Sequence, residues 1–306
     1  MRVVSLLPSA TEMCYALGVE PVGVSHECDY PQWASDQPSV VHSRVDPTAT
    51  SGELDSQVQQ AVETGGVYEL DEQRLAELAP DVIVSQGICD VCAIDVSHVR
   101  QTVSRLGLDA QVVASDPQSL EDVFADLKRL GDVLNVERTA QQVIADLQKR
   151  VDALEGSRSI HAQHAQQVAI LDWTDPVMVA GHWIPGMVEH LGATYPLATP
   201  GAPSRPREFA EIRRVDPDIL VISPCGFDCE QTLANRTDLT DREGWSDLTA
   251  VTNERAYIID GNQYVNRPGP RLVETLELLG SVIQNDVSDC PSDAVQQFPT
   301  VETLTS

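Results

Sequence analysis

Between Ser119 and Glu155 the apolar residues fall at Leu120, Val123, Phe124, Leu127, Leu130 and Leu134, then at Val143, Ile144, Leu147, Val151 and Leu154. Steps of three and four are the period of an amphipathic α-helix, not of a strand. On both sides lie short β-branched segments alternating with short helical ones. Such alternation makes parallel βαβ units covered on both faces. The expected fold is therefore α/β: two Rossmann-like lobes with mostly parallel sheets, joined by one long interdomain α-helix. A helix C-cap at Asn135 and a fresh acidic turn at Glu137 divide the central stretch. That gives a first lobe over 1–136, a crossing helix over 137–156 and a second lobe over 157–285. The polar, aperiodic segment 286–306 is expected to be a disordered tail.

The first lobe reads as strands at Val3–Leu7, Val22–Ser25, Ser39–His42, Val67–Leu70, Asp81–Ser85 and Gln111–Ala114, with helices from Ser9 to Gly18, at Glu72–Leu78 and at Val96–Leu106. Ser9-Ala10-Thr11-Glu12 has the Ser-x-x-Glu form of a capping box opening the first helix. The second lobe repeats the grammar, with strands at Val168–Trp173, Ile219–Ser223 and Ala256–Asp260. Its closing helix, Pro270 to Ile283, is expected to carry proline in its first turn.

Charge excludes one class of partner. Aspartate and glutamate number 47 against 20 lysines and arginines, a formal net charge of -27. Nucleic acid and anionic membrane are not expected partners, because phosphate binding needs the opposite sign. The acids are spread along the chain, a composition that resembles salt adaptation in halophilic archaea. No run approaches the roughly 18–20 apolar residues of a membrane span, so membrane insertion is not expected. As written, the first strand begins at Val3 with no basic-then-apolar leader, which points to the cytoplasm. A mis-assigned or trimmed start would instead place the chain in the periplasm or outside the cell.

In open parallel sheets ligands bind beyond the carboxyl ends of the strands. In the first lobe those ends carry Ser9, then His26, Glu27, Cys28 and Tyr30, then Cys89 and Cys92. In the second they carry Trp173, Cys225, Cys229 and Tyr264, and the loop with His182 and Trp183 joins the same rim. Five of the seven cysteines thus fall on strand-end loops; Cys14 and Cys290 do not. Three readings stay open: a shared metal or cofactor site, reactive thiols, or small buried side chains. In the first, Cys28, Cys89, Cys92, Cys225 and Cys229 bridge the lobes, with His26 and Glu27 adding nitrogen and oxygen ligands. The aromatic side chains suit a flat apolar ligand.

Arg2 to Glu12, Ala16-Leu17-Gly18 and Val22-Gly23-Val24 together resemble the first βαβ unit of the substrate-binding proteins of cobalamin and iron-siderophore ABC importers. Leu75 to Val84 is similar to that family's helix-then-strand signature, and Glu211 to Val221 repeats it. Asp260-Gly261-Asn262 with Arg267-Pro268-Gly269-Pro270-Arg271 resembles its closing segment. The cobalamin-binding type is the nearest, in a leaderless branch that bears cysteines. The resemblance implies a rather rigid cleft with the ligand between the lobes, and surface carboxylates that dock on permease arginines.

Two functions follow as expectations. The first is a binding protein without chemistry. It holds a corrinoid such as cobalamin, or another metal chelate, at Ser9, Tyr30, Trp173, His182, Trp183, Tyr264 and Arg267, with an ABC-transporter permease as partner. The alternative is a cytosolic metalloprotein or enzyme whose cysteines hold zinc, iron or an iron–sulfur cluster. A dinucleotide dehydrogenase, a P-loop NTPase and a nucleophile-elbow hydrolase all lack their glycine-bearing motifs here.

Overall fold

The computed structural model describes residues 1–87, 94–155 and 165–299. The first lobe begins with β1 (Val3–Ser5), α1 (Pro8–Ala16), β2 (Val24–Ser25), β3 (Ser39–Ser43) and α2 (Ser51–Glu63). It continues through β4 (Tyr68–Leu70), α3 (Glu72–Leu78), β5 (Val82–Gln86), α4 (Val96–Leu106), β6 (Gln111–Ser115) and α5 (Leu120–Leu134). The spine, α6 (Glu137–Glu155), follows. The second lobe opens with β7 (Val168–Thr174), β8 (Val177–Val179), α7 (Ile184–His190), β9 (Arg205–Pro206) and α8 (Phe209–Val215). Next come β10 (Ile219–Ile222), α9 (Cys229–Ala234), α10 (Thr237–Thr240) and α11 (Thr249–Thr252). The chain ends through β11 (Ala256–Ile259), α12 (Leu272–Gln284) and β12 (Val295–Gln297).

In the first lobe β1, β5 and β6 pair in parallel, with Val4 opposite Ile83 and Val84 opposite Val113. A parallel bridge from Val4 to Gly23 leads to a second sheet, in which β2 and β3 are parallel and β4 is antiparallel. The second lobe has one sheet in the order β12-β11-β10-β7-β8-β9. Its centre, β11-β10-β7, is parallel, and antiparallel strands flank it. All residues of β10 and β11 are buried, as helices on both faces of a parallel sheet require.

The spine is fixed to both lobes by its apolar stripe. Ala140, Leu147 and Val151 are buried in one cluster that runs from Leu7, Met13 and Leu127 to Ile170, Leu220 and Leu276. At its start Asn135 takes the left-handed conformation, φ 59°, and ends α5, as a short amide side chain allows. A Cβ at Gly131 would strike that of Ala140, so the α5–α6 corner packs at glycine distance. Arg150 reaches across to Glu277 on α12 with bonds of 2.8 and 2.6 Å. Both side chains are over a third exposed, so this pair adds at most about 1 kcal/mol.

Three expectations are corrected, and one helix is added. The first helix starts at Pro8 with Leu7 as N-cap, so Ser9 lies inside it and Glu12 is buried rather than capping; proline has no N–H to lose and a φ already helical. The closing helix starts at Leu272, after Pro270. Between His42 and Gly65, where the spacing marks no element, α2 forms behind a Thr50–Glu53 capping box. Within 286–299 the tail carries a strand: β12 pairs antiparallel with β11, Val295 opposite Ile259. Its Ala294, Val295 and Phe298 are buried, because they cover the sheet edge and the Trp245 ring, 5.2 Å from Phe298. Among the described residues no helix is long and apolar enough to cross a membrane.

Candidate functional site: the junction between the lobes

Among the described residues the two lobes meet near their strand ends in three places. In the first, the segment after β11 crosses to α1 and the turn after β2. Asp260 caps that segment by accepting from the Gln263 amide at 2.6 Å, and burial lifts its carboxyl to about 6. Gly261 is obligatory, since a Cβ there would collide with the Pro224 carbonyl. Arg267, 5% exposed, then donates to Asp29 at 3.1 Å and to Asn262 at 3.0 Å. Its guanidinium lies 3.5 Å from Glu12. Arg271 is held between the rings of Tyr30 and Tyr264, 4.2 and 4.5 Å from their centroids, a cation–π sandwich drawn from both lobes. It also pairs with Glu274 at 3.2 Å and approaches Glu12 at 3.8 Å. Burial raises the Glu12 carboxyl to about 8, against the opposing pull of Arg271 and Arg267.

The second meeting point is His182. It has φ 52° and its Nδ1 lies 2.9 Å from Gln118 Oε1 of the first lobe. Burial pushes this imidazole below its usual value. The adjoining Trp183 is 8% exposed, stacks with His182 at 5.6 Å and donates from its indole to the Val265 carbonyl at 3.0 Å. It forms wall rather than open surface.

The third is the start of α2. Ser51 donates its amide to Asn235 at 3.2 Å and its hydroxyl to Asp238. Asp238 also accepts from Thr174 at 2.8 Å, and Gln231 donates to the Pro47 carbonyl at 2.7 Å. Beside this clasp Trp173 packs on Phe227, centroids 5.1 Å apart, and donates to the Asp175 carbonyl. Of the ligand residues read from sequence, Tyr30, Tyr264 and Arg267 share the first meeting point and Ser9 is buried next to it. His182 with Trp183 holds the second, and Trp173 the third.

Among the described residues the rim cysteines Cys28, Cys225 and Cys229 do not form a metal-holding cluster. Cys28 is buried, with Sγ 3.0 Å from the Thr11 hydroxyl, and burial pushes its thiol to about 12. Cys229 is buried on the Asp293 carbonyl at 3.3 Å, its thiol also near 12. Cys225 is exposed. His26 Nδ1 lies 2.9 Å from the Val41 carbonyl, and Glu27 accepts from the Tyr68 hydroxyl at 3.0 Å. Among the described residues no three His, Cys, Asp or Glu side chains stand close enough to hold a metal ion. A bridging metal site from Cys28, Cys225, Cys229, His26 and Glu27 is therefore not formed by those residues. Cys89 and Cys92 lie outside the described residues.

Among the cavities lined by the described residues, two bear on the site. One of about 840 Å3 lies within the first lobe, lined by His42, Arg44, Tyr68, Asp71, Ile94 and His98. It touches neither the second lobe nor the aromatic rims, so its size does not make it the cleft. The other, about 320 Å3, is shared by α1, α6 and α12. Glu12, Asp29, Arg271, Gln118 and Ser51 join these meeting points without being among the site residues expected from sequence. Three of them lie in stretches that carry a local signal: Arg271 in Arg-Pro-Gly-Pro-Arg, Asp29 beside Cys28 on a strand-end loop, and Glu12 in the Ser-x-x-Glu pattern.

A family model described as periplasmic binding protein matches residues 3–263. The uncharacterized ABC transporter substrate-binding lipoprotein YvrC of Bacillus subtilis (strain 168) is 24% identical over 288 residues, 93% of this chain and 80% of the relative. The structure of a periplasmic heme binding protein from Pseudomonas aeruginosa superposes with a TM-score of 0.72 at 20% identity, covering 98% of each chain. That of the periplasmic vitamin B12 binding protein BtuF of Vibrio cholerae gives 0.67 at 18% identity, covering 94% of this chain and 98% of the other. At such identities the structural likeness speaks for the fold, two α/β lobes on a helical spine. With the family match running from β1 into the segment after β11, the chain belongs to the periplasmic binding protein family.

Proposed function

We propose that this chain is the substrate-binding component of an ABC importer and carries a corrinoid, or a metal chelate of similar shape, between its lobes. The observation that carries the reading is the first meeting point, where Tyr30, Tyr264 and Arg267 stand together at facing strand ends of the two lobes. Aromatic side chains at facing rims suit a flat macrocycle; Arg267 holds the rims together, and the half-buried Asn262 beside it offers a polar group to the ligand's edge. The names of the relatives point the same way: one is an ABC transporter substrate-binding lipoprotein, and two fold neighbours bind heme and vitamin B12. A lipoprotein relative supports a station on the outer face of a membrane, beside a permease, over the cytoplasm. The metalloprotein alternative loses support, because Cys28 and Cys229 turn to separate partners, the Thr11 hydroxyl and the Asp293 carbonyl.

Titration calorimetry with cobalamin, cobinamide and haemin tests the proposal. One of the three is expected to saturate a single site; absence of heat with all three contradicts it.

A further inference from the structure

Where the spine passes the junction, the cavity of about 320 Å3 is walled by Glu12, Tyr15, Tyr30, Trp33, Leu147 and Arg271. Four polar atoms there are buried without a close hydrogen bond: both Glu12 carboxyl oxygens, the Tyr15 hydroxyl and Arg271 Nη1. Glu12 Oε1 has only the longer ion pairs to Arg267 and Arg271, at 3.5 and 3.8 Å, and the Tyr15 hydroxyl is turned toward Gln37. Folded proteins leave few such atoms, and each calls for a partner that completes it. The Glu12 and Arg271 side chains are 2% and 5% exposed. At the mouth stand Tyr30 and Trp33, 45% and 60% exposed, two of the four large apolar side chains left open to solvent among the described residues. A polar floor beneath an aromatic mouth is the form of a small-molecule pocket.

We infer that this cavity is a second binding site, for a small carboxylate with an apolar or aromatic body. Both faces of the Arg271 guanidinium are covered by Tyr30 and Tyr264, so only its edge, at Nη1, is offered to a ligand. A carboxylate there accepts from Arg271 and from the Tyr15 hydroxyl. Its body lies against Trp33, Tyr30, Leu147 and Pro270. Glu12 supplies a third donor: with its carboxyl raised to about 8 it carries a proton at neutral pH. The charges acting on Glu12 are Arg271 and Arg267 of the segment after β11 and Asp29 of the turn after β2. Arg150 of α6 and Glu274 of α12 complete the wall, each with an opposite charge as partner. Trp173, His182 and Trp183 are not part of this cavity, so it stands apart from the second and third meeting points, whereas it adjoins the first and shares Glu12, Tyr30 and Arg271 with it. Because α1, α6 and α12 come from the first lobe, the spine and the second lobe, occupancy favours the angle between the lobes that holds these walls together.

Benzoate is the probe, titrated into the full chain and followed by calorimetry and tryptophan fluorescence. A single saturable site is expected at pH about 6.5. Tyr15→Phe removes one oxygen and keeps the ring that meets Trp33 edge-on; it is expected to weaken benzoate about tenfold. Raising the pH to about 9.5 is expected to weaken wild type by about tenfold or more, as Glu12 loses its proton. Glu12→Gln, whose amide stays a donor, is expected to bind without that pH dependence. Benzyl alcohol, the same body without the carboxylate, is expected not to bind. The inference is overturned if benzoate shows no saturation, if Tyr15→Phe binds it equally, or if benzyl alcohol binds as well.

Discussion

Arg267 of the second lobe and Glu12 of the first stand 3.5 Å apart with side chains only 6% and 2% exposed. The contact joins the lobes at their strand ends, and Arg267 is tied there again by Asp29. Removing the guanidinium strands polar groups that lie out of water. Arg267→Ala is expected to lower unfolding stability by about 2–3 kcal/mol, measured by urea denaturation.

Glu12 sets a pH dependence of definite sign. Its folded value, about 8, lies above its ordinary 4.5, so between these values the folded chain holds the proton more tightly. Stability from this group therefore falls as pH rises from near 4.5 through about 8, and is level above. Glu12→Gln is expected to flatten that part of the stability profile, read as melting temperature against pH.

The clasp at Ser51 is expected to govern how the lobes part. Ser51→Asp sets a carboxylate against Asp238, which now accepts from Ser51 and Thr174. Like charges in contact repel, so the variant is expected to show a larger radius of gyration in X-ray scattering and faster ligand release than wild type. Unchanged scattering and release would remove the clasp from the account.

Thiol reactivity separates the cysteines. Exposed Cys225 is expected to react first with a disulfide reagent in the native protein. Cys14, Cys28 and Cys229, with thiols raised by burial to about 12, are expected to stay unmodified until denaturant is added. Peptide mapping by mass spectrometry reads the order.

The surplus of acids makes a salt prediction. A chain of net charge -27 repels itself most at low ionic strength. Its melting temperature is expected to rise with potassium chloride.

Much of the architecture is legible in local pattern. The β-branched runs at Val82, Val168 and Ile219 are strands because each is buried on both faces, and Asn135 ends α5 as a left-handed cap. What stays hidden depends on distant partners. In α2 only Ser51, Leu54 and Ala61 are buried, too sparse a stripe to mark a helix whose start is held by the other lobe. Val295 and Phe298 sit in polar sequence, and only the edge of β11 shows why they are ordered. Ser9-x-x-Glu12 has the same letters whether glutamate caps a helix or faces two arginines 250 residues away in sequence, roughly. The cysteines share rims in the sequence, yet Cys28 and Cys229 turn inward to Thr11 and Asp293. Loop position says where a side chain starts, not which way it points.

The central claim, a macrocyclic cargo held between the lobes, is tested most directly by titrating cobinamide, cobalamin and haemin into wild type and Tyr264→Ala. The account predicts one-to-one saturation by at least one of the three, weakened about tenfold or more when the Tyr264 ring is removed. No saturation by any of them, or binding that ignores the loss of Tyr264, would contradict it.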